Sequence, residues 1–138
     1  MKELFCFSFN ANPLNVRVTR AAVRSFLLQR NIPEELVWDI EIAVNEALTN
    51  VIKHTYKYDQ TKIIKMSISL DEKSVEIFIR DFGDHVDPKS LQPRIPDPER
   101  EGGFGLFIIH RVFDLVEFVN VHRGNLLRLG KSLRGRDV

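Results

Sequence analysis

The chain has 138 residues, with 20 basic against 19 acidic side chains and a formal net charge of +1. That length fits one domain spanning 1–138, and it lets roughly two-thirds of the unfolded chain's surface be buried without disulfide or metal staples. Near-neutral charge excludes a broad electrostatic footprint for nucleic acid or a basic membrane patch, and no apolar run reaches membrane-spanning length.

Met1 to Asn10 lacks the long apolar stretch of an export signal, so a cytoplasmic protein is expected. Leu4 to Phe9 alternates apolar and polar positions and predicts a strand. Cys6, the single cysteine, cannot close an intramolecular bridge, and its place in that run predicts a buried free thiol. Asn12-Pro13 opens a helix over roughly Leu14 to Arg30, with Val16, Ala21, Val23, Phe26 and Leu27 at near-helical spacing. After the break at Asn31-Ile32-Pro33 a longer helix runs from about Glu34 to Tyr56.

On that second helix Val37, Ile40, Ala43, Val44, Ala47, Leu48, Val51 and Ile52 fill one broad apolar arc. Glu41, Asn45, Thr49 and Lys53 lie opposite, while Glu46 and Asn50 sit at the border of the arc. Trp38 falls on the polar side, where packing against the first helix and a partner contact are both open readings. Ile63 to Leu70 and Val75 to Asp81 read as strands joined by Asp71-Glu72-Lys73. Phe82 to Gly103 has no periodicity, and a loop of that length inside a compact domain is usually functional. A short helix over about Leu106 to Phe113 follows. Strands Val116 to His122 and Leu126 to Lys131 then flank the turn Arg123-Gly124-Asn125. The order β-α-α-β-β-loop-α-β-β suggests one sheet with helices layered on one face.

Three features carry chemistry. Glu46-Ala47-Leu48-Thr49-Asn50, with His54 one turn further on, stacks a carboxylate, an amide and an imidazole on one helix face. Such a set suits proton acceptance beside a hard cation that draws most of its ligands from phosphates and water; a solvated helix flank is the plain alternative. Asp81-Phe82-Gly83 ends an apolar strand, where a lone carboxylate can accept from the exocyclic amine of a base and Gly83 allows close backbone approach. Taken by itself, a simple turn is the better reading. Gly102-Gly103-Phe104-Gly105-Leu106 closes the loop and opens a helix, exposing N–H groups and the positive end of a dipole to an anion; a hinge is its plain reading.

Two other patterns fail. Five residues separate Gly124 from Gly130, ahead of Lys131-Ser132, where a phosphate-binding loop needs four. Asp81-Phe82-Gly83 also lacks the glycine-rich loop, strand lysine and H-R-D segment that surround such a triplet in ordinary protein kinases.

In order and spacing the three features resemble the histidine-kinase-like GHKL ATPases, which include gyrase B subunits and sensor histidine kinases. The nearer likeness is to the anti-sigma-factor serine kinases of bacteria. There E-A-x-T-N-x-x-x-H-x-Y precedes a D-x-G strand end, a short lid and a G-G-x-G-L helix start. The matching residues are Glu46 to Asn50 with His54 and Tyr56, then Asp81 and Gly83, then Gly102 to Leu106. The resemblance implies the Bergerat ATP-binding fold, a two-layer α+β sandwich whose sheet is mixed and mostly antiparallel. It implies that Asn50 ligates Mg²⁺, Asp81 binds the adenine amine of ATP, and Gly83 lines the adenine pocket. Gly103 and Gly105 would border the phosphates, with Phe104, Leu106 and His54 completing the nucleotide site. Glu46 would be the general base toward a substrate serine.

The implied activity is ATP-dependent phosphorylation of a small anti-sigma-factor antagonist, with a sigma factor as a second partner and a homodimer as the assembly. An ATP-gated binding switch without transfer, or a scaffold that binds no nucleotide, would use the same fold. Asp84-His85 follows Gly83 where many relatives carry a second glycine, so His85 either crowds the pocket or caps the loop locally. Lys89, Arg94 and Arg100 are candidates for a γ-phosphate contact, with solvated surface charge their more ordinary role. His110 and His122 read as structural histidines.

Overall fold

In the computed structural model, which describes residues 2–92 and 104–133, strand β1 (Glu3–Asn10) forms where Phe5, Phe7 and Phe9 recur at alternate positions. Their rings line up on one face with centroids 5.3 and 5.9 Å apart, and Phe5 stacks on Phe26 at 6.1 Å. Cys6 points to the other face and is exposed. This corrects the expectation of a buried thiol: the strand is as read, but the cysteine takes the side without helices.

Helix α1 (Pro13–Leu28) starts where Asn12 Oδ1 accepts the Leu14 N–H at 2.9 Å, with Pro13 in the first turn. Val16, Val23, Phe26 and Leu27 are buried, while Ala21, grouped with them by spacing, is exposed. Helix α2 (Glu34–Asn50) carries Glu34 and Glu35 at its dipole's positive end. Its arc from Val37 to Leu48 is buried as the pattern predicts. The polar side meets α1: Arg24 donates to Glu41 at 3.2 Å and Arg20 to Asn45 at 3.4 Å. Trp38 remains 55 % exposed, so packing against α1 does not hide it.

The α-helical pattern ends at Asn50, before the expected Tyr56. Val51–Thr55 forms a wider π-turn, and the Tyr56 N–H donates to the Val51 carbonyl at 2.8 Å. Turns of this kind concentrate at functional sites.

Strands β2 (Ile63–Leu70) and β3 (Ser74–Asp81) follow. Between them Asp71 Oδ1 accepts the N–H groups of Lys73 and Ser74 at 2.7 and 2.9 Å. A 3₁₀ turn (Pro88–Leu91), helix α3 (Phe104–Val112), β4 (Leu115–Val121) and β5 (Gly124–Ser132) complete the described elements. The strand order is β1-β2-β3-β5-β4. Every pair is antiparallel, so the expected mixed character is absent among the described residues. β3 and β4 point the same way, but β5 inserts between them and the two never pair.

One sheet face carries Ile64, Met66, Ile68, Ile77, Ile79 and Leu129, all but free of solvent, and meets Val37, Ile40, Val44 and Leu48 of α2 in the core. Each such burial contributes about 1.5–3 kcal/mol. This seam fixes α2 over β2 and β3, so the border residues of the helix face the end of β3.

Candidate active site

A cavity of about 480 Å³ opens where the end of α2, the π-turn, the start of α3 and the sheet meet. Glu46, Asn50, His54, Asp81, Gly105 and Leu106 all line it. The π-turn therefore does not remove His54 from the face of Glu46 and Asn50. The floor is apolar, from Ile79, Val116, Phe118 and Leu127, and Val86, Ser90 and Leu91 add a wall that the sequence did not single out. An apolar slot with few polar groups at its ends is the usual form of a small-molecule site.

Asp81 is 2 % exposed. Its Oδ1 accepts the Gly83 N–H and Asn125 Nδ2, both at 3.0 Å. Burial pushes the carboxyl above the usual Asp range, against the opposing pull of these two donors. Gly83 does not itself line the cavity, contrary to expectation. A Cβ there would stand 2.5 Å from Thr55 Cγ2 and 3.2 Å from the Tyr56 ring, so glycine is what lets the segment after β3 lie against the end of the π-turn. Tyr56 locks that contact. Its hydroxyl donates to the Ile63 carbonyl at 2.5 Å and accepts the Phe82 N–H at 2.8 Å, and burial raises its pKa.

His85 acts as a local cap rather than crowding the cavity: its Nε2 lies 2.8 Å from the Val121 carbonyl and its ring is not among the lining groups. Asn125 is a buried polar residue that sequence reasoning missed. It was read as part of a turn, yet it sits in β5 directly opposite Asp81 and is fully buried.

At the other end, α3 starts against the cavity. A Cβ on Gly105 would stand 2.7 Å from Glu46 Oε2, so this glycine lets the helix start rest on the carboxylate. The free N–H groups of a helix's first turn favour an anion there. Phe104 is 53 % exposed and outside the lining. Gly103, Arg94 and Arg100 lie outside the described residues. Lys89 is exposed and does not line the cavity. His110 Nε2 meets the Leu91 carbonyl at 2.8 Å, a structural tie between α3 and the 3₁₀ turn, and His122 is exposed in the β4–β5 loop.

A sheet roofed by helices, with a carboxylate at the end of a central strand facing a second carboxylate and an amide on a helix, defines an ATP-binding class of domain. A family profile for the histidine kinase-like ATPase domain matches residues 9–131, and the chain belongs to that family. It is 29 % identical over 136 residues to the serine-protein kinase RsbW of Oceanobacillus iheyensis, covering 93 % of this chain and 85 % of that protein. It is 33 % identical over 140 residues to the anti-sigma F factor of Priestia megaterium, covering 96 % and 95 %. A crystal structure of the RsbU and RsbW domains of a Mycobacterium tuberculosis protein shares the fold. Its TM-score is 0.68 at 18 % identity, over 94 % of this chain and 32 % of that one. No described helix is long and apolar enough to cross a membrane.

Proposed function

We propose that the chain is an ATP-dependent serine-protein kinase and anti-sigma regulatory factor, working as one domain, that phosphorylates a small antagonist protein in the cytoplasm. The observation that carries this reading is the shared cavity: Glu46 and Asn50, one helical turn apart, border the same space as Asp81. An ATP spanning it has its base at Asp81 and its phosphates at the start of α3.

Each residue then has a role. Asp81 accepts a hydrogen bond from the adenine amine, and Gly83 with Tyr56 holds that strand end in place. Gly105 and Leu106, with Phe104 before them, offer backbone N–H groups to the phosphates, and His54 borders the same end; the role expected of Gly103 falls outside the described residues. Glu46 accepts the serine proton as the Oγ–phosphorus bond forms and the bond from phosphorus to the ADP oxygen breaks. Placement and charge neutralisation supply most of the rate in such a transfer.

Mg²⁺ fits this donor set. Asn50 brings an amide oxygen to the cavity one helical turn from the Glu46 carboxylate, and no group of three or more His, Cys, Asp or Glu forms a metal cluster among the described residues. An ion held mainly by phosphate and water needs little more. When bound it neutralises phosphate charge, and Asn50 is the residue that would hold it. Substituting Asn50→Ala is expected to weaken Mg²⁺-dependent ATP binding about tenfold in calorimetry, near the value of a hydrogen bond to a charged group.

The RsbW and anti-sigma F names of the relatives support a protein serine as acceptor and a sigma factor as second partner. A homodimer is the assembly the resemblance implies, and sedimentation of the pure chain decides it. The test of the function is capture of partners from native lysate with and without Mg-ATP, followed by phosphosite mapping. A phosphoserine on a captured protein that disappears with Glu46→Ala is expected. Capture that responds to ATP without any phosphate transfer would instead make the chain a nucleotide-gated binding switch.

A further inference from the structure

Asn125 has no part in the roles above, yet all of its polar capacity is committed. Its Nδ2 donates to Asp81 Oδ1 at 3.0 Å and to the Asp84 carbonyl at 2.9 Å. Its Oδ1 accepts the Val86 N–H at 3.1 Å and Asn120 Nδ2 at 2.8 Å. A side-chain amide has two donors and two acceptor positions, and here each is used. A flipped amide would set its oxygen against two acceptors and its NH₂ against two donors. Its orientation is therefore fixed by four partners, with the donor side toward Asp81.

Two consequences reach the cavity. Asp81 Oδ1 receives donors from both Asn125 and Gly83, which favours the carboxylate as an acceptor. Val86, which lines the cavity, is held on both sides of its backbone, by Asn125 at the N–H and by Asn120 Nδ2 at the carbonyl, 2.9 Å away. One buried amide thus sets both the polarity of the base-binding group and the position of the wall beside it.

We propose that Asn125 is a positioning residue for nucleobase selection: by holding Asp81 as an acceptor and Val86 in place, it admits 6-aminopurine nucleotides and turns away 6-oxopurine ones. This rests on the nucleotide-site reading above. An acceptor-only group pairs with an exocyclic amine and faces an oxo oxygen as one acceptor faces another. A buried polar group left unpaired in this way discriminates strongly.

The test is direct binding of Mg-ATP and Mg-GTP by calorimetry to the wild-type chain and to Asn125 variants, with circular dichroism as the control for folding. Wild type is expected to favour ATP. N125A is expected to lower the ATP-to-GTP affinity ratio at least tenfold. N125D, which keeps the shape but turns a carboxyl oxygen toward Asp81, is expected to lower it further, because two adjacent carboxyls share a proton and one becomes a donor. N125T keeps one hydroxyl donor, is expected to lower the ratio several-fold, and carries the test if the other variants do not fold. Variants that bind both nucleotides more weakly with the ratio unchanged would reduce Asn125 to a structural part and overturn the inference alone. A wild-type chain that binds neither nucleotide would overturn the site reading beneath it as well.

Discussion

The two ends of the cavity are held by different means. At the Asp81 end, Asn120 and the backbone of Asp84 and Val86 form a hydrogen-bond web around the buried Asp81–Asn125 pair, with Tyr56 bridging β2 and the residue after β3. At the α3 end Glu46, Asn50 and His54 are placed by the turns of α2 and the π-turn, and Glu46 is met by Gly105 of α3. A satisfied buried network fixes directions, whereas a helix face fixes positions and leaves long side chains some freedom. In the proposed function, base recognition would accordingly be preset, and the transfer end would complete itself around phosphates and metal.

The sharpest way to break that contrast is Glu46→Gln, which keeps the size and removes the proton acceptor. Transfer to the protein partner is expected to fall about 10²–10⁴-fold while Mg-ATP affinity stays within about threefold. Equal losses in both would show that Glu46 serves binding.

Next is the base end itself. Asp81→Asn is expected to weaken ATP binding about 10–100-fold. Because burial raises the Asp81 pKa and the ionised form is the acceptor, wild-type affinity should fall as pH drops through that raised value. The loss begins above the ordinary Asp value of about 3.9. Calorimetry across a pH series should show this loss in wild type and not in D81N.

A smaller effect tests the brace between the two ends. Tyr56→Phe removes one donated and one accepted hydrogen bond and is expected to reduce stability in urea by about 1–3 kcal/mol. The least disruptive change is Gly105→Ala. Its methyl meets the far end of the flexible Glu46 side chain, so the fold should barely respond, with a stability change below about 1 kcal/mol. Transfer should slow several-fold as the carboxylate is displaced, read from initial rates at saturating ATP.

Most of the frame was legible because it rests on local periodicity. The alternation of Ile63 to Leu70 and Val75 to Asp81, the arc of α2 and the cap at Asn12 each mark the type of an element in local sequence, although packing is what stabilises it. That Glu46 and Asn50 share a helix face and Asp81 ends a strand was legible because neither placement depends on distant contacts; all three line one cavity. What stayed hidden depends on the third dimension. Alternation marks two faces of β1 but not which one the helices cover, so Cys6 was placed inside. Periodicity does not distinguish the π-turn at Val51–Thr55 from a continuing helix, since the difference is one residue in a hydrogen-bond ring. Asn125 meets Asp81 only because β5 inserts between β3 and β4, a pairing that no local pattern announces. His85 likewise became a cap once the β4–β5 hairpin stood beside it.

The central claim is that a nucleoside triphosphate occupies the space between α2, α3 and the sheet. Amide chemical-shift mapping during a Mg-ATP titration tests it most directly. Shifts should concentrate at Gly83, Val86 and Asn125 at one end and at Asn50, Gly105 and Leu106 at the other. Saturating Mg-ATP that leaves those amides unmoved, or that moves a surface elsewhere, would contradict it.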